Sequence, residues 1–393
     1  MKTFFTLIKK EVRRIFKNHV VMAIFFGAPL LYGLMFGYVY QKAKLTDLPI
    51  VVVDYDNSPS SDKLIDALND NEGIKVVKVL NDAVGIKKLI IDHDYQAVIT
   101  IPENFEAAIL QRRYPEVVVD INTSNILTAN FATRGIQAVL ATTNAGIEIE
   151  TLKKQGLAPQ YAAERFESFK VQYNRWFNPG NSYLDFMWPG LMGAIMQQIF
   201  FMGLALSFAR DFEDNYFAKL VRISKYSTYH IFLKVIPYAV FGAVMWAAVA
   251  AMYHFFNIPL AVESGSMLLL TTLFSLACIF TGILFSIMIP NQLRATEFLM
   301  IIATPSFVLS GFTWPQVVMP DTLKAIASSI PLTNFLAGFR KLAIYGGAAD
   351  DVTNQVKGLA IHTGITLMLS IILLQIKINR QKRKQQSLQK KQA

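Results

Sequence analysis

The sequence predicts a mainly α membrane protein, with six transmembrane helices and a large external α/β domain between the first and the second. Hydrophobic residues make up 53% of the 393 residues and charged residues 17%, whereas about 25% charged residues is usual in soluble domains. The apolar residues are also grouped: one run lies near the start, a long stretch of soluble composition follows, and further apolar runs fill the second half. This order predicts one membrane anchor, then a domain, then a helical bundle.

A helix needs about 20 mostly apolar residues to cross a bilayer. The runs that come closest to this length give the six predicted spans, at residues 20–40, 190–209, 231–255, 267–289, 298–312 and 359–376. The first span is expected to be an uncleaved signal anchor, because its apolar core is longer than that of a secretory signal. The other five belong to a predicted transmembrane block over residues 188–378.

Lysine and arginine residues predict the orientation of these spans. They are frequent in residues 1–19 and 379–393 and in the loop between the second and third spans, but loop 257–266 has neither. Short loops rich in Lys and Arg stay in the cytoplasm, and six crossings put both termini on one face. We therefore expect an amphipathic N-terminal segment and a basic tail in the cytoplasm, and an external domain over residues 41–187. The net charge of +10 is largely explained by these flanks, which face anionic lipid, so nucleic-acid binding is not favoured.

Short strands and helices alternate within the external region, which is typical of a small α/β or α+β domain. Strands are predicted at residues 49–53, 74–80, 97–101 and 117–121, and helices at residues 62–69, 82–91 and 102–111. Two more helices, at about residues 125–154 and 159–173, are expected to form a stalk between the domain and the membrane. Asp54 and Asp56 follow the first strand, where capping of a turn is favoured over cation binding.

The residues do not predict an enzyme. No G-x-x-x-x-G-K-[ST] phosphate loop, G-x-S-x-G or H-E-x-x-H motif occurs, and the five histidines are dispersed. The single cysteine, Cys278, lies in an apolar run, so no disulfide framework forms within one chain. We expect no catalytic residue, no cofactor and no metal site in this chain.

The loop between the second and third spans, residues 210–225, combines charges with apolar residues at helical spacing. Its members of interest are Arg210, Asp211, Phe212, Glu213, Asp214, Phe217, Lys219 and Leu220. A short amphipathic helix along the membrane surface would turn the apolar side to the bundle and the charges to the cytosol. Such a helix could receive force from a soluble partner. A plain interfacial loop explains the same residues, and both interpretations stay open.

The chain resembles a known family, the ABC-2 type integral membrane permease subunits of type-two ABC transporters, mostly bacterial exporters. The basic start, first span, external domain and five-helix block cover nearly the whole chain. Three local matches carry the resemblance. The first is Trp176-Phe177-Asn178-Pro179 through Tyr183 with Trp188-Pro189-Gly190-Leu191, and the second is the acidic loop 210–220 with residues 221–224. The third is Ser310-Gly311-Phe312-Thr313-Trp314-Pro315, followed by Pro331-Leu332-Thr333 and Phe339-Arg340. One departure concerns the loop, where the family often has Gly-Thr and this chain has Asn215-Tyr216.

The resemblance implies partners. A separate ATP-binding subunit, which holds ATP and Mg²⁺, would dock on loop 210–225, and a second copy of the permease or a paralogous permease would complete the assembly. A hydrophobic or amphiphilic substrate would be moved out across the bacterial inner membrane. Residues 313–345 would form an outward re-entrant segment, and the external domain would guide the substrate or dock a periplasmic adaptor.

Polar and small residues in the second predicted span allow two interpretations. Gln197 and Gln198 are costly in a membrane unless they are hydrogen-bonded, and Gly193 and Gly203 permit close helix approach. These residues line a translocation path or form a helix interface, and the sequence does not decide between the two.

Two other function classes are compatible with the sequence. The first is a non-transporting membrane protein whose external domain binds a partner, as an assembly or adhesion factor does. The second is a membrane enzyme acting on lipid or glycan, which the missing catalytic motifs disfavour.

Overall fold

The chain forms two compact units. The computed structural model describes residues 2–42, 44–82, 85–166, 171–172, 174–260 and 264–392. One unit, here called the helical unit, comprises residues 1–43 and 176–393, and the other, here called the sheet unit, comprises residues 44–175.

The helical unit begins with two segments that meet at Asn18. Helix α1 (Lys2–Phe16) is amphipathic and basic. The Asn18 side chain then accepts hydrogen bonds from the amides of Val20 and Val21, which satisfies otherwise unpaired donors at a helix start. The second segment consists of α2 (His19–Met22), a π-helical turn (Ala23–Gly27) and α3 (Ala28–Val39).

The sheet unit contains a four-stranded sheet with helices between the strands. Its elements are β1 (Leu48–Asp54), α4 (Pro59–Asn69), β2 (Ile74–Leu80), α5 (Ile86–His93), β3 (Ala97–Ile101), α6 (Phe105–Leu110) and β4 (Val118–Ile121). The strand order is β2-β1-β3-β4; β1 pairs in parallel with β2 and β3, and β4 is antiparallel to β3. All four predicted strands are confirmed, because β-branched runs bounded by turn residues gave a clear signal.

The carboxyl end of β1 is followed by the turn that the sequence predicts there. The Asp54 carboxylate accepts hydrogen bonds from the amide of Asp56 at 2.9 Å and from the hydroxyl of Ser61 at 2.6 Å. Asp54 therefore caps a turn, as expected. The long helix α7 (Ile126–Lys154) buries its first half against the sheet, and α8 (Pro159–Arg165) follows. The remainder of the predicted helix 159–173 falls partly on residues 167–170 and 173, which lie outside the described residues.

The rest of the helical unit is built from long helices. They are α9 (Tyr183–Glu213), α10 (Phe217–Ile223), α11 (Ser227–Phe255), α12 (Ser264–Met288), α13 (Gln292–Leu309), α14 (Asp321–Ser328), α15 (Pro331–Phe339) and α16 (Thr353–Gln392). Short 3₁₀ turns at Gln316–Val318 and Ala349–Val352 and a π-helical turn at Arg340–Ile344 connect some of them.

Five helices among the described residues are long and apolar enough to cross a membrane. They are His19–Val39, Tyr183–Glu213, Ser227–Phe255, Gly265–Met288 and Ala349–Ser387. The predicted fifth span, residues 298–312, falls mainly in α13, whose first turns carry Arg294 and Glu297 and lower its apolar content. The sixth crossing therefore stays a prediction.

Helix α9 lies at the centre of the helical unit. It contacts α12, α13, α3, α15 and α11, and it fully buries Trp188, Phe200 and Phe208. Gly282 of α12 lets the two helices approach closely, since a Cβ there would lie 3.2 Å from the carbonyl oxygen of Phe200. A displacement of α9 would therefore change its contacts with most helices of the unit.

Candidate coupling site

The predicted loop 210–225 is the end of α9, a tight turn and α10. Asn215 in the turn has φ +54°, in the left-handed region that Gly and Asn adopt most readily. Asn is a residue type that adopts this conformation at low cost. Phe217 and Leu220 of α10 are buried, whereas Lys219 is exposed.

The sequence predicts that the charges of this loop face the cytosol. This prediction is wrong for Asp211. Its side chain is fully buried, and its carboxylate lies 2.8 Å from the Arg14 guanidinium and 2.7 Å from the Lys234 ammonium. The physical reason is pairing: a buried carboxylate is tolerated when cations and hydrogen bonds surround it. Asp211 joins α9 to α1 and to α11.

A second carboxylate completes this buried charge cluster, which consists of Glu11, Arg14, Asp211 and Lys234. The Glu11 carboxylate lies 2.7 Å from the Lys234 ammonium and 3.7 Å from the Arg14 guanidinium. Lys234 itself is 1% exposed. Two carboxylates thus face two cations, and the cluster is electrically balanced where α1, α9 and α11 meet.

Arg14 also connects α1 to the exposed turn. Burial alone lowers the pKa of Arg14, but the carboxylates of Asp211 and Glu11 outweigh burial, so the pKa lies above its ordinary value. The guanidinium therefore remains charged. It lies 4.6 Å from the ring centroid of Tyr216, a cation–π contact that Lys10 repeats at 4.9 Å.

Glu213 and Asp214 are exposed but not isolated. The Glu213 carboxylate accepts hydrogen bonds from the side chain of Asn291 at 2.8 Å and from the backbone amide of Gln292 at 3.0 Å. A negative group at the start of α13 is favoured by the helix dipole. Asp214 lies 3.6 Å from Arg210 and 3.5 Å from Arg14. The turn is thereby tied to α13 as well as to α1.

Helix α16 contacts the same region. The Lys377 ammonium lies 4.3 Å from the ring centroid of Phe212, and the Gln385 amide donates to the carbonyl of Ala218 in α10 at 3.1 Å. The end of α9 and α10 are therefore held by α1, α11, α13 and α16 together. A displacement of the exposed turn would therefore act on all four of these helices through direct contacts.

The four polar and small residues of the second predicted span lie in or near packed interfaces. The Gln197 side chain is 1% exposed and accepts a hydrogen bond from the Leu332 amide at the start of α15, at 3.1 Å. Gln198 is half-buried. A Cβ at Gly193 would lie 2.8 Å from Leu336, and one at Gly203 would lie 2.9 Å from Phe25. Gln197, Gly193 and Gly203 thus hold helices together within one chain, and a role in a translocation path stays a prediction.

Sequence reasoning missed three members of the charge cluster: Glu11, Arg14 and Lys234. Lys234 gave a signal, since a lysine inside a predicted span is by default a functional candidate. Its partner Glu11 is 223 positions away, so the sequence could not pair the two. Within the part of the chain that the structure describes, no group of three or more His, Cys, Asp or Glu residues could hold a metal ion.

Comparisons with known proteins found a family match and several relatives. Residues 20–376 match the profile of a family described as ABC-2 family transporter protein. The probable multidrug ABC transporter permease YbhR of Escherichia coli (strain K12) is 22% identical over 372 residues, which cover 92% of this chain and 95% of YbhR. The probable multidrug ABC transporter permease YbhS of the same strain is 29% identical over 181 residues, which span 45% of this chain and 47%, about half, of YbhS.

Proposed function

The chain belongs to the ABC-2 family of transporter proteins, and on this premise we propose that it is the permease subunit of an ATP-driven exporter. The family implies an ATP-binding subunit as partner, in which ATP and Mg²⁺ are bound. The substrate proposed is hydrophobic or amphiphilic, in keeping with the multidrug permeases that the chain is similar to.

The observation that carries the proposal is the burial of Asp211 beneath an exposed turn. Glu213, Asp214 and Lys219 offer charges to a docked subunit, while Asp211, one turn away, is paired with Arg14 and Lys234. Force applied to the exposed turn would therefore reach α1 and α11 directly, and α13 through Glu213. A rigid, multiply anchored segment suits transmission better than a flexible loop does.

The remaining features of the proposed assembly come from the family and from charge patterning. Two permease chains, identical or paralogous, pair with two ATP-binding subunits. The chain crosses the bacterial inner membrane six times with both termini in the cytoplasm, α13 supplies the fifth crossing, and the sheet unit lies outside, where it guides the substrate or docks a periplasmic adaptor. Residues 313–345 form the outward re-entrant segment.

The coupling role is tested with a double variant, Glu213→Gln with Asp214→Asn, in the complex purified from its host. Removing both negative charges weakens the contact of the exposed turn with its partner, so we expect substrate-stimulated ATP hydrolysis to fall severalfold, measured as phosphate release in proteoliposomes. Asp321→Asn removes an exposed carboxylate from a surface ion pair of the same unit and is the matched control.

The thermal midpoint of the double variant is measured in parallel, because Glu213 also binds the start of α13. A folded double variant with undiminished stimulation would contradict the coupling role. A membrane protein whose external domain binds a partner without transport would instead show no substrate-stimulated ATP hydrolysis even without the substitutions.

A further inference from the structure

A large pocket lies at the end of the helical unit where α9 begins and α13 ends. Its volume is about 730 Å³, within the range of about 300–1,000 Å³ usual for small-molecule sites. The walls come from residues 176–178, the start of α9, the segment after α13, α15 and the π-helical turn that follows α15. The pocket shares no residue with the charge cluster at the coupling site.

Aromatic side chains from three parts of the helical unit line the pocket. Phe186 stacks on Phe312 with ring centroids 5.6 Å apart, and Phe177 lies against Tyr345 at 4.6 Å. Phe177 has φ +67°, a left-handed conformation that is rare for a bulky residue. Such strain persists only where the surroundings hold it, and it is concentrated at ligand sites. The walls suit a flat or extended apolar group.

Arg340 supplies a single strong charge to this apolar wall. Its guanidinium lies 4.6 Å from the ring centroid of Phe312 and donates one hydrogen bond, of 2.8 Å, to the Phe312 carbonyl. Among the described residues, no carboxylate lies within ion-pair distance of Arg340, and the residues that line the pocket include no Asp or Glu. A guanidinium has five N–H donors in a fork that matches an acidic group.

We propose that this Arg340 pocket, formed by Phe177, Phe186, Phe312, Ala337, Arg340 and Tyr345, binds an anionic amphiphile. The carboxylate, sulfonate or phosphate of the ligand pairs with Arg340, and its apolar part lies on the aromatic wall. A phospholipid headgroup and a free amphiphile share this chemistry. For the proposed permease, this ligand class would be the transported substrate, and that assignment rests on the proposed transport function. Binding of the ligand is a property of this chain alone.

The test measures binding of 8-anilinonaphthalene-1-sulfonate to the full-length chain in phosphatidylcholine nanodiscs. N-phenyl-1-naphthylamine, which lacks the sulfonate, is the uncharged probe. Energy transfer from tryptophan reports binding of the probe to the chain, and Trp176 lies in the pocket; the variants below assign the signal to this site. No ATP and no partner subunit are added, so a failure here leaves the transport proposal standing, and a failure of transport leaves this result interpretable.

Three variants separate charge from shape. Arg340→Gln removes the cation; Lys341→Gln removes the neighbouring charge, which lies outside the pocket with its ammonium on the carbonyl of Asp351 at 2.8 Å. Ala337→Phe fills the pocket and keeps Arg340. We expect Arg340→Gln to raise the Kd of the sulfonate probe by about tenfold or more and to leave the Kd of the uncharged probe unchanged. Lys341→Gln should change neither Kd, and Ala337→Phe should raise both.

Equal sulfonate affinity in Arg340→Gln and the unmodified chain would overturn the proposal, as would an equal loss in Lys341→Gln. If Arg340→Gln does not elute as a folded protein in size exclusion, Ala337→Phe decides, and unchanged binding of both probes by that variant overturns the proposal. Adding phosphatidylglycerol to the nanodiscs distinguishes the sources. Displacement of the sulfonate probe supports a lipid headgroup as occupant, and undiminished Arg340-dependent binding supports a free amphiphile.

Discussion

Lys234 is a positive charge inside a helix that is apolar enough to cross a membrane. An unpaired charge in that position is costly, and two carboxylates, those of Glu11 and Asp211, each lie 2.7 Å from its ammonium. Removing one member of a buried ion pair leaves the other charge without compensation, whereas replacing the whole pair by apolar residues is often tolerated. The stability of the helical unit should therefore depend on complete pairing within the cluster.

Asp211→Asn should lower the free energy of unfolding by about 3 kcal/mol or more, because Arg14 and Lys234 both lose a charged partner. The measurement is the thermal or denaturant midpoint of the purified chain in mild detergent. Asp321→Asn, at an ion pair whose carboxylate is almost fully exposed, should have little effect. Adding Lys234→Met to Asp211→Asn should restore part of the loss. Equal midpoints for Asp211→Asn and Asp321→Asn would show that the cluster does not stabilise the fold.

The sequence analysis identified the charged loop but not Arg14 and Lys234, the cations that pair with Asp211. Asp211 and Glu213 look alike in the sequence, yet one is fully buried and the other exposed. The difference arises from the last turn of α9, in which residues two positions apart point to different sides of the helix. Which side meets α1 and α11 is decided by tertiary packing, and the periodicity of the loop contains no information about those helices.

Among the secondary-structure elements, helix ends were harder to predict than helix centres. The second predicted span covers residues 190–209, whereas α9 runs from Tyr183 to Glu213. Apolar runs predict the part of a helix that lies in a membrane, whereas the helix itself ends at a capping residue. At the start of α9 this residue is Ser182, whose hydroxyl accepts a hydrogen bond from the Asp185 amide at 3.1 Å. The β-strands were predicted more closely, because turn residues bound each of them.

Close helix packing at Gly203 gives a prediction for α9. A Cβ at this position would lie 2.9 Å from two ring atoms of the fully buried Phe25, so Gly203→Ala should destabilise the chain by about 1–3 kcal/mol, less the gain in helix propensity of up to about 1 kcal/mol. The unfolding midpoint in detergent measures the effect. At Gly364 of α16 a Cβ meets nothing within 4 Å, and Gly364→Ala should leave the midpoint unchanged or raise it. The same midpoint for both variants would argue against tight packing of α9 on Phe25.

For the whole molecule, the family resemblance predicted more than composition or periodicity could. The membrane spans follow from apolar runs, the strands of the sheet unit follow from β-branched runs, and the charged loop follows from charge spacing. The need for an ATP-binding partner followed from the motifs that carry the resemblance, because nothing in the spacing of residues 210–225 names a partner. The Arg340 pocket could not be predicted, since it joins Phe177, Phe186 and Arg340 from distant parts of the chain.

In the proposed complex, an ATP-binding subunit acts on the permease at the end of α9 and at α10. The most direct measurement is a mild-detergent pull-down of the tagged chain from its native host, with mass spectrometry of the eluate and an ATPase assay. We predict a stoichiometric ATP-binding subunit and ATP hydrolysis in the eluate. An eluate without any ATP-binding subunit, under conditions in which other membrane complexes of that host remain intact, would contradict this prediction.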